Sequence, residues 1–164
     1  MGSNLPLTIF TSTYNRAHTL GKLFQSLSIQ TNKEFEWVIV DDGSVDETGS
    51  LVARFLATNT FQINYFKVKN AGKHKAINQG VLAAKGDLFM IIDSDDYLSD
   101  DNVVTSILAH KEFLDKNNHF CAIVGNRVTQ EGSVIGTQIR YKTLDSDFID
   151  YRVNKKIIGD RAEV

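Results

Sequence analysis

The sequence predicts a doubly wound α/β domain with a mostly parallel sheet flanked by helices. Short apolar runs of strand length alternate with segments of helical period, and polar clusters follow several of the runs. Repeated strand–helix units connect through right-handed crossovers, which makes neighbouring strands parallel. The 164 residues are enough for one domain with its own core. We expect residues 7–137 to form this domain, after a polar segment at 1–6 that need not belong to the natural chain.

The first half of the chain contains two strand–helix units. Residues 7–11 form the first apolar run, and a helix follows because apolar side chains recur at helical spacing: Leu20, Leu23, Phe24 and Leu27. The run at 37–40 is apolar on both faces, as expected for a central parallel strand. Ser44 then begins an S-x-x-E capping box, which predicts a helix from there to Leu56.

The second half contains three further apolar runs, which predict strands at 63–68, 88–92 and 120–126. Asn70 is the predicted N-cap of the helix between the first two, and Gly86 its left-handed stop. Ser99 is the predicted N-cap of the next helix. Residues 127–137 are predicted to form a hairpin, because a turn-forming pair, Glu131-Gly132, lies near its middle.

Composition and charge exclude several classes of function. The net charge of −2 gives no basic field for nucleic acid, so we expect no nucleic-acid partner. The longest purely apolar run, at 88–92, is far below a membrane span. A single cysteine, Cys121, rules out an internal disulfide framework and predicts a cytoplasmic protein, with a place at the cytoplasmic face of a membrane left open. The dinucleotide, P-loop and nucleophile-elbow motifs are absent from the sequence.

Three carboxylates fall within four residues directly after the run at 88–92: Asp93, Asp95 and Asp96. Carboxylates this close repel one another unless a cation or hydrogen-bond donors compensate. Mn²⁺ or Mg²⁺ suits such a site, because these ions take oxygen ligands and bind through one or two carboxylates plus phosphate oxygens. Asp93 and Asp95 are the predicted metal-binding pair. The alternative is a polar turn that leads into a capped helix.

Polar clusters follow two other strand ends and one helix start. Asp42 can accept hydrogen bonds from a nucleobase imide or from hydroxyls, or it can belong to a plain βα turn. Residues 12–16 offer an aromatic face and donors, unless Asn15 only caps a helix and Tyr14 only packs. Lys73 beside a helix N-terminus suits a diphosphate, or is a solvated surface lysine. Because ligands bind at the carboxyl ends of parallel strands, we expect these clusters to share one crevice.

Taken in order, the motifs resemble family 2 glycosyltransferases over about residues 5 to 130: Thr11–Arg16, Val40–Thr48, Asn70–Lys73 with Ala76 and Asn78, and Asp93–Asp96. The resemblance implies a GT-A (Rossmann-like) fold and a nucleoside-diphosphate sugar, often UDP-linked, as donor. It also implies inverting transfer to a hydroxyl acceptor, a saccharide or lipid-linked saccharide. It assigns nucleoside contacts to Ser12, Tyr14, Arg16 and Asp42, and the diphosphate to Lys73. Asp95 becomes the metal ligand, with Asp93 nearer the ribose. Family members usually have proline where Ser12 stands.

The resemblance also implies a general base downstream of the acidic cluster, an Asp or Glu that takes the acceptor proton. Asp160 is the candidate in this chain, although relatives place the base further along. Residues 138–164 are therefore expected to begin an acceptor-side region that is truncated. One alternative is a fragment that binds a nucleotide sugar without transferring it. Another is a phosphotransfer domain that uses Asp41 and Asp42, which would need an acid where Gly43 stands.

Overall fold

The structure, a computed structural model, describes residues 5–116, 123–136 and the backbone of 161–163. Strands and helices alternate through the first 116 residues. The strands are β1 (Leu7–Thr13), β2 (Phe35–Asp41), β3 (Gln62–Lys67), β4 (Leu88–Ile91), β5 (Val124–Asn126) and β6 (Arg161–Glu163). The helices are α1 (Leu20–Ser28), α2 (Thr48–Thr58), α3 (Lys73–Ala83) and α4 (Val103–Lys116). The predicted order of elements is confirmed.

Four strands form one parallel sheet in the order β3-β2-β1-β4. Leu7 pairs with Phe35 on one side and with Leu88 on the other, so β1 is central. The chain winds outward from β1 to β3 and then returns, through α3, to the other side of β1. This reversal opens a crevice at the carboxyl ends of β1 and β4. The doubly wound α/β fold predicted from the sequence is confirmed.

The two faces of the sheet are covered by different helices. Side chains of α1, α2 and α4 pack on one face around Trp37 and Ile39, and both side chains are fully buried. On the other face Phe10 and Val38 pack against Ala76 of α3. Alternate residues of a strand point to opposite faces, so apolar runs without alternation fill both cores.

Glycines bring α3 and the turn after it close to β1. A Cβ on Gly80 would lie 2.1 Å from Phe10 Cε2, so only glycine lets this part of α3 reach the sheet. Gly86 is not the predicted left-handed stop, because its φ is not among the positive values. A Cβ there would lie 2.4 Å from Thr8 N, and the reason for glycine is this close backbone approach.

The predicted helix caps are wrong; α1 begins at Leu20, where its apolar stripe begins, and α2, α3 and α4 begin later than their predicted caps suggested. Helix α2 begins at Thr48 with Glu47 as N-cap, not at Ser44, and the N-cap of α3 is Gly72, not Asn70. The N-cap of α1 is Thr19, not Asn15, and α4 begins at Val103, four residues beyond Ser99. The displaced residues, Ser44 and Asn15 among them, hydrogen-bond between loops, which a local pattern does not reveal.

Beyond α4, β5 pairs with β6 in antiparallel fashion. The predicted hairpin is confirmed by a bridge between Val128 and Val134, with Gly132 in the turn at φ 81°. Of the predicted strand at 120–126, the structure shows residues 124–126. Cys121 and Asp160 lie outside the described residues. Within the part of the chain that the structure describes, no helix combines the length and apolarity needed to cross a bilayer.

Candidate functional site

A cleft of about 320 Å³ lies at the carboxyl ends of β1, β2 and β4, beside the N-terminus of α3. Nine residues line it: Ser12, Thr13, Tyr14, Arg16, Asp42, Lys73, Asp93, Ser94 and Asp95. The structure therefore brings together all seven residues that the sequence predicted for the nucleotide and metal. It adds Thr13 and Ser94, which sequence reasoning missed. Thr13 Oγ1 is buried and has no hydrogen-bond partner among the described residues.

The rim of the cleft is held by contacts between the loops that follow β1 and β2. Asn15 has a positive φ of 54°, which Asn tolerates, and its amide N–H donates to Ser44 Oγ at 2.8 Å. Asn15 Oδ1 in turn accepts from Val45 N at 2.9 Å. Tyr14 and Arg16 lie on either side of this contact, and both are exposed to the cleft. Asn15 therefore connects the two loops and fixes the positions of the neighbouring Tyr14 and Arg16, the predicted nucleoside-binding residues.

Asp42 connects the end of β2 to the start of α3. Its side chain is buried, with Oδ1 accepting from Ala71 N at 2.8 Å and Oδ2 accepting from Gly72 N at 2.9 Å. These bonds position the first turn of α3 and, with it, Lys73. Each carboxylate oxygen has a second lone pair, so Asp42 can still accept a bond from a ligand in the cleft.

The neighbouring Asp41 has a purely internal role. It is fully buried, and it accepts from Ser44 N at 2.7 Å and from Tyr65 Oη at 2.6 Å. Burial, and then the bond to Asp41, raises the pKa of the Tyr65 hydroxyl well above its usual range. A carboxylate enclosed in this way is not a nucleophile, so the geometry argues against the phosphotransfer hypothesis.

The acidic turn after β4 carries three carboxylates in three different environments. Lys73 Nζ lies 2.7 Å from Asp93 Oδ1, and Arg127 Nη2 lies 2.7 Å from Asp96 Oδ2. Asp95 is exposed and forms no ion pair or hydrogen bond with another described residue. The counter-charges that the sequence required for this cluster are thus present for two of its three acids.

The oxygen donors of the acidic turn fit a hard divalent ion to which the protein would supply only some of the ligands. Among the described residues, no three His, Cys, Asp or Glu side chains are grouped to hold a metal. Asp95 and Asp93 Oδ2, which is not the oxygen that Lys73 contacts, are the carboxylate oxygens that could hold such an ion. Mg²⁺ or Mn²⁺ needs no more, because such ions bind through one or two carboxylates plus water and substrate phosphates.

Two polar residues of the α1 region hold the acidic turn from the core side. Ser26 Oγ accepts from Leu98 N at 3.1 Å, and Gln30 Nε2 donates to the carbonyl oxygen of Asp100 at 2.6 Å. Gln30 Oε1 also accepts from Val104 N at 3.0 Å, which supplies the cap that was predicted from Ser99. Both side chains are buried. The one sequence signal for them is a polar residue placed next to the apolar stripe of a helix.

A parallel α/β sheet with an acidic turn, a lysine at a helix N-terminus and an aromatic rim at its switch point is the arrangement typical of α/β domains that bind nucleotides. Comparison with known proteins identifies it further. The description "Glycosyl transferase family 2" belongs to the family model that matches residues 8–161. The chain belongs to glycosyl transferase family 2, and the resemblance noted in the sequence is confirmed.

Similar proteins include large bacterial glycosyltransferases. An uncharacterized glycosyltransferase of Rickettsia conorii is 31% identical over 130 residues, which is 79% of this chain and 20% of that protein. The chondroitin synthase of Pasteurella multocida is 34% identical over 133 residues, 80% of this chain and 13% of that protein. The chain thus spans one fifth or less of the length of these relatives.

Solved structures of similar fold come from two further glycosyltransferases. Staphylococcus aureus TarS in complex with UDP-GlcNAc superposes with a TM-score of 0.60 at 27% identity, over 73% of this chain and 33% of that one. A mannosyltransferase of Pyrobaculum calidifontis, in complex with GDP-Man and Mn²⁺, has a TM-score of 0.63 at 23% identity, over 71% and 34%. Both support the GT-A fold, and the second supports the fold alone.

Proposed function

We propose that the chain is the donor-binding part of an inverting glycosyltransferase. Its donor is a nucleoside-diphosphate sugar, UDP-linked, bound with Mn²⁺ or Mg²⁺. Its acceptor is a hydroxyl of a saccharide or lipid-linked saccharide. The observation that carries the proposal is the single cleft that gathers the acidic turn, Lys73 and the Tyr14 rim. The TarS complex with UDP-GlcNAc and the chondroitin synthase relative support this class of donor and product.

The cleft offers partners for the nucleoside and the diphosphate of such a donor and for the ion. Tyr14, a residue that is 48% exposed, presents an aromatic face to a base, and Asp42 presents carboxylate oxygens to an imide or a hydroxyl. Lys73 Nζ and the amides at the start of α3 favour a diphosphate. Asp95 and Asp93 would hold the divalent ion. When bound, this ion would neutralise negative charge that builds on the departing diphosphate.

In inverting transfer the acceptor oxygen forms a bond to C1 of the sugar while the bond from C1 to the diphosphate oxygen breaks. The acceptor proton must pass to a base within hydrogen-bond reach. Asp160 is our candidate in this chain, and it lies outside the described residues. Without a base the same cleft would still hold the donor, so the second candidate function is nucleotide-sugar binding without transfer.

The decisive measurement is calorimetric binding of UDP with and without Mn²⁺. We expect Mn²⁺ to tighten UDP binding by about tenfold or more, because the ion would be held by the carboxylates and would attract the diphosphate. Asp95→Asn should abolish this gain. Asp101→Asn is the matched control, because Asp101 is an exposed acid outside the cleft, and it should retain the gain. An Asp95→Asn variant with the full Mn²⁺ gain would refute the metal assignment.

Transfer and binding can be separated on the same sample. Release of UDP from UDP-sugars is measured beside calorimetry of the same donors. Turnover would support the enzyme, and tight binding without turnover would support the binding fragment. Failure of all UDP- and GDP-sugars to bind in the presence of Mn²⁺ would contradict both.

A further inference from the structure

The hairpin after β5 reaches the acidic turn through one ion pair. Arg127 Nη2 lies 2.9 Å from Oδ1 and 2.7 Å from Oδ2 of Asp96. Both side chains are partly buried, at 28% and 38% exposure. Neither residue lines the cleft, and the sequence motifs gave neither of them a role in binding. A short, charge-assisted contact with both oxygens restricts the carboxylate more than a single bond would.

Asp96 is covalently next to Asp95 and closes the turn that carries it. The amide N–H of Asp96 donates to the carbonyl oxygen of Asp93 at 3.0 Å. On the core side, the segment is held two residues later, where Leu98 N donates to Ser26 Oγ. The Arg127 contact holds the same segment through its side chain at Asp96. The Asp93–Asp96 turn is therefore supported by α1 from one direction and by the hairpin from another.

The charges lead to the same conclusion. Arg127 compensates Asp96, and Lys73 compensates Asp93, so Asp95 remains as the acid without a counter-charge among the described residues. Without Arg127, the carboxylate of Asp96 would be free to repel Asp95 or to compete with it for a cation. An ion would then meet a mobile set of three acids in place of one oriented pair.

We propose that Arg127 and Asp96 are a positioning pair, which fixes the turn so that Asp95 points to the divalent ion and couples the hairpin to the donor site. The inference rests on the proposed function, because it concerns the same metal site. Neither residue lines the cleft that would hold the donor. Residues that orient metal ligands in this way set metal affinity without binding the metal.

The first test is UDP binding by Arg127→Gln with and without Mn²⁺. We expect the Mn²⁺-dependent gain in UDP affinity to fall by about tenfold, while metal-free UDP affinity stays within about twofold. Arg127→Lys should recover part of the gain, because it restores the charge. Asp96→Asn should cause the same loss, and the double variant should be no worse than either single one. Lys111→Gln, which removes another ion-paired cation outside the cleft, is the control and should change neither affinity.

The second test needs no ligand and keeps the two proposals apart. Hydrogen exchange of the segment 93–98 should be faster in Arg127→Gln than in the wild-type protein, with exchange in the sheet unchanged. If wild-type protein shows no Mn²⁺ gain but the exchange effect is present, the proposed function fails, and of the inference only the fixing of the turn by Arg127 and Asp96 stands. If Arg127→Gln retains the Mn²⁺ gain, or weakens both UDP affinities equally, the positioning role is overturned.

Discussion

Carboxylates near the two ends of the parallel sheet differ in burial and in hydrogen bonding. Near the amino end, Glu36 in β2 is fully buried and accepts four hydrogen bonds. Just beyond the carboxyl end, Asp95 is exposed and has no partner among the described residues. An acid that stabilises the fold is satisfied within the fold, because burying it unpaired is costly. In the function proposed above, Asp95 is left unsatisfied because a cation would complete it, and the contrast would then separate a structural acid from a functional one.

Glu36 shows how complete the structural arrangement is. Its Oε1 accepts from Thr8 Oγ1 at 2.7 Å and from Lys85 N at 2.6 Å. Its Oε2 accepts from Asn64 Nδ2 at 2.7 Å and from Gln62 Nε2 at 3.4 Å. These donors belong to β1, β3 and the turn after α3. One carboxylate therefore connects three strands to the connection that returns the chain to β4.

The largest expected effect is the loss of stability in Glu36→Ala. Removing the carboxylate leaves four donors without their acceptor, three of them in strands beside β2, and we expect the free energy of unfolding to fall by about 3 kcal/mol. Urea unfolding followed by circular dichroism measures it. Glu34→Gln is the matched control, because Glu34 is exposed two residues away, and it should change stability by less than about 0.5 kcal/mol. If both variants lost the same unfolding free energy, Glu36 would not be a structural acid of the kind described above.

Asp42 tests whether one acid can combine both behaviours. It lies in the cleft, yet both of its oxygens accept backbone bonds from the start of α3. In Asp42→Asn one acceptor becomes a donor that faces an N–H group, so we expect a loss of about 1 kcal/mol in unfolding free energy. UDP affinity should fall as well, because Lys73 is no longer fixed. A variant with normal stability and weakened UDP binding would make Asp42 a purely functional acid.

Much of the fold was predictable because its signals are local. The apolar runs and the helical stripes reflect burial on two faces of one sheet, and each run became a strand or part of one. The caps were not predictable in the same way. Ser44 and Asn15 have the side chains of good caps, but their bonds go to each other's loops, about thirty residues apart in the sequence. A side chain with a high capping propensity does not cap a helix where a long-range partner already satisfies its hydrogen-bonding atoms.

The candidate site shows the same difference between local signals, which were predictable, and long-range contacts, which were not. Its cleft residues were predictable, because polar groups after parallel strands must gather at one edge. The residues that support them were not. Arg127 reaches Asp96 across 31 positions, and Ser26 reaches Leu98 across 72. No spacing in the sequence predicts such contacts, and they become visible only in the folded arrangement of α1, the acidic turn and the hairpin.

A smaller effect concerns Asp46, an exposed acid that holds the rim of the cleft. It accepts from Thr48 Oγ1 and from Ala17 N, and the bond from Thr48, followed by backbone bonds, lowers its pKa below the ordinary 3.8. A lowered pKa in the folded state adds stability above the ordinary pKa, and this stability is lost as pH falls through the lowered value. Unfolding of wild-type and Asp46→Asn protein, from about pH 7 to about pH 3, should therefore converge in acid. A difference that stays constant with pH would assign the effect to geometry alone.

The smallest expected change in stability belongs to Asp95, the acid whose loss should matter most for binding. Asp95→Asn removes no bond to a described residue and relieves repulsion from Asp93 and Asp96. In metal-free buffer the free energy of unfolding should therefore stay within about 0.5 kcal/mol of wild type, or rise slightly. The melting temperature with and without UDP and Mn²⁺ measures both effects, since a ligand that binds only the folded state raises it. UDP and Mn²⁺ together should raise the melting temperature of the wild-type protein but not that of the variant. If the variant is strongly destabilised without ligand, Asp95 is a structural acid like Glu36, and the contrast between the two ends of the sheet does not hold.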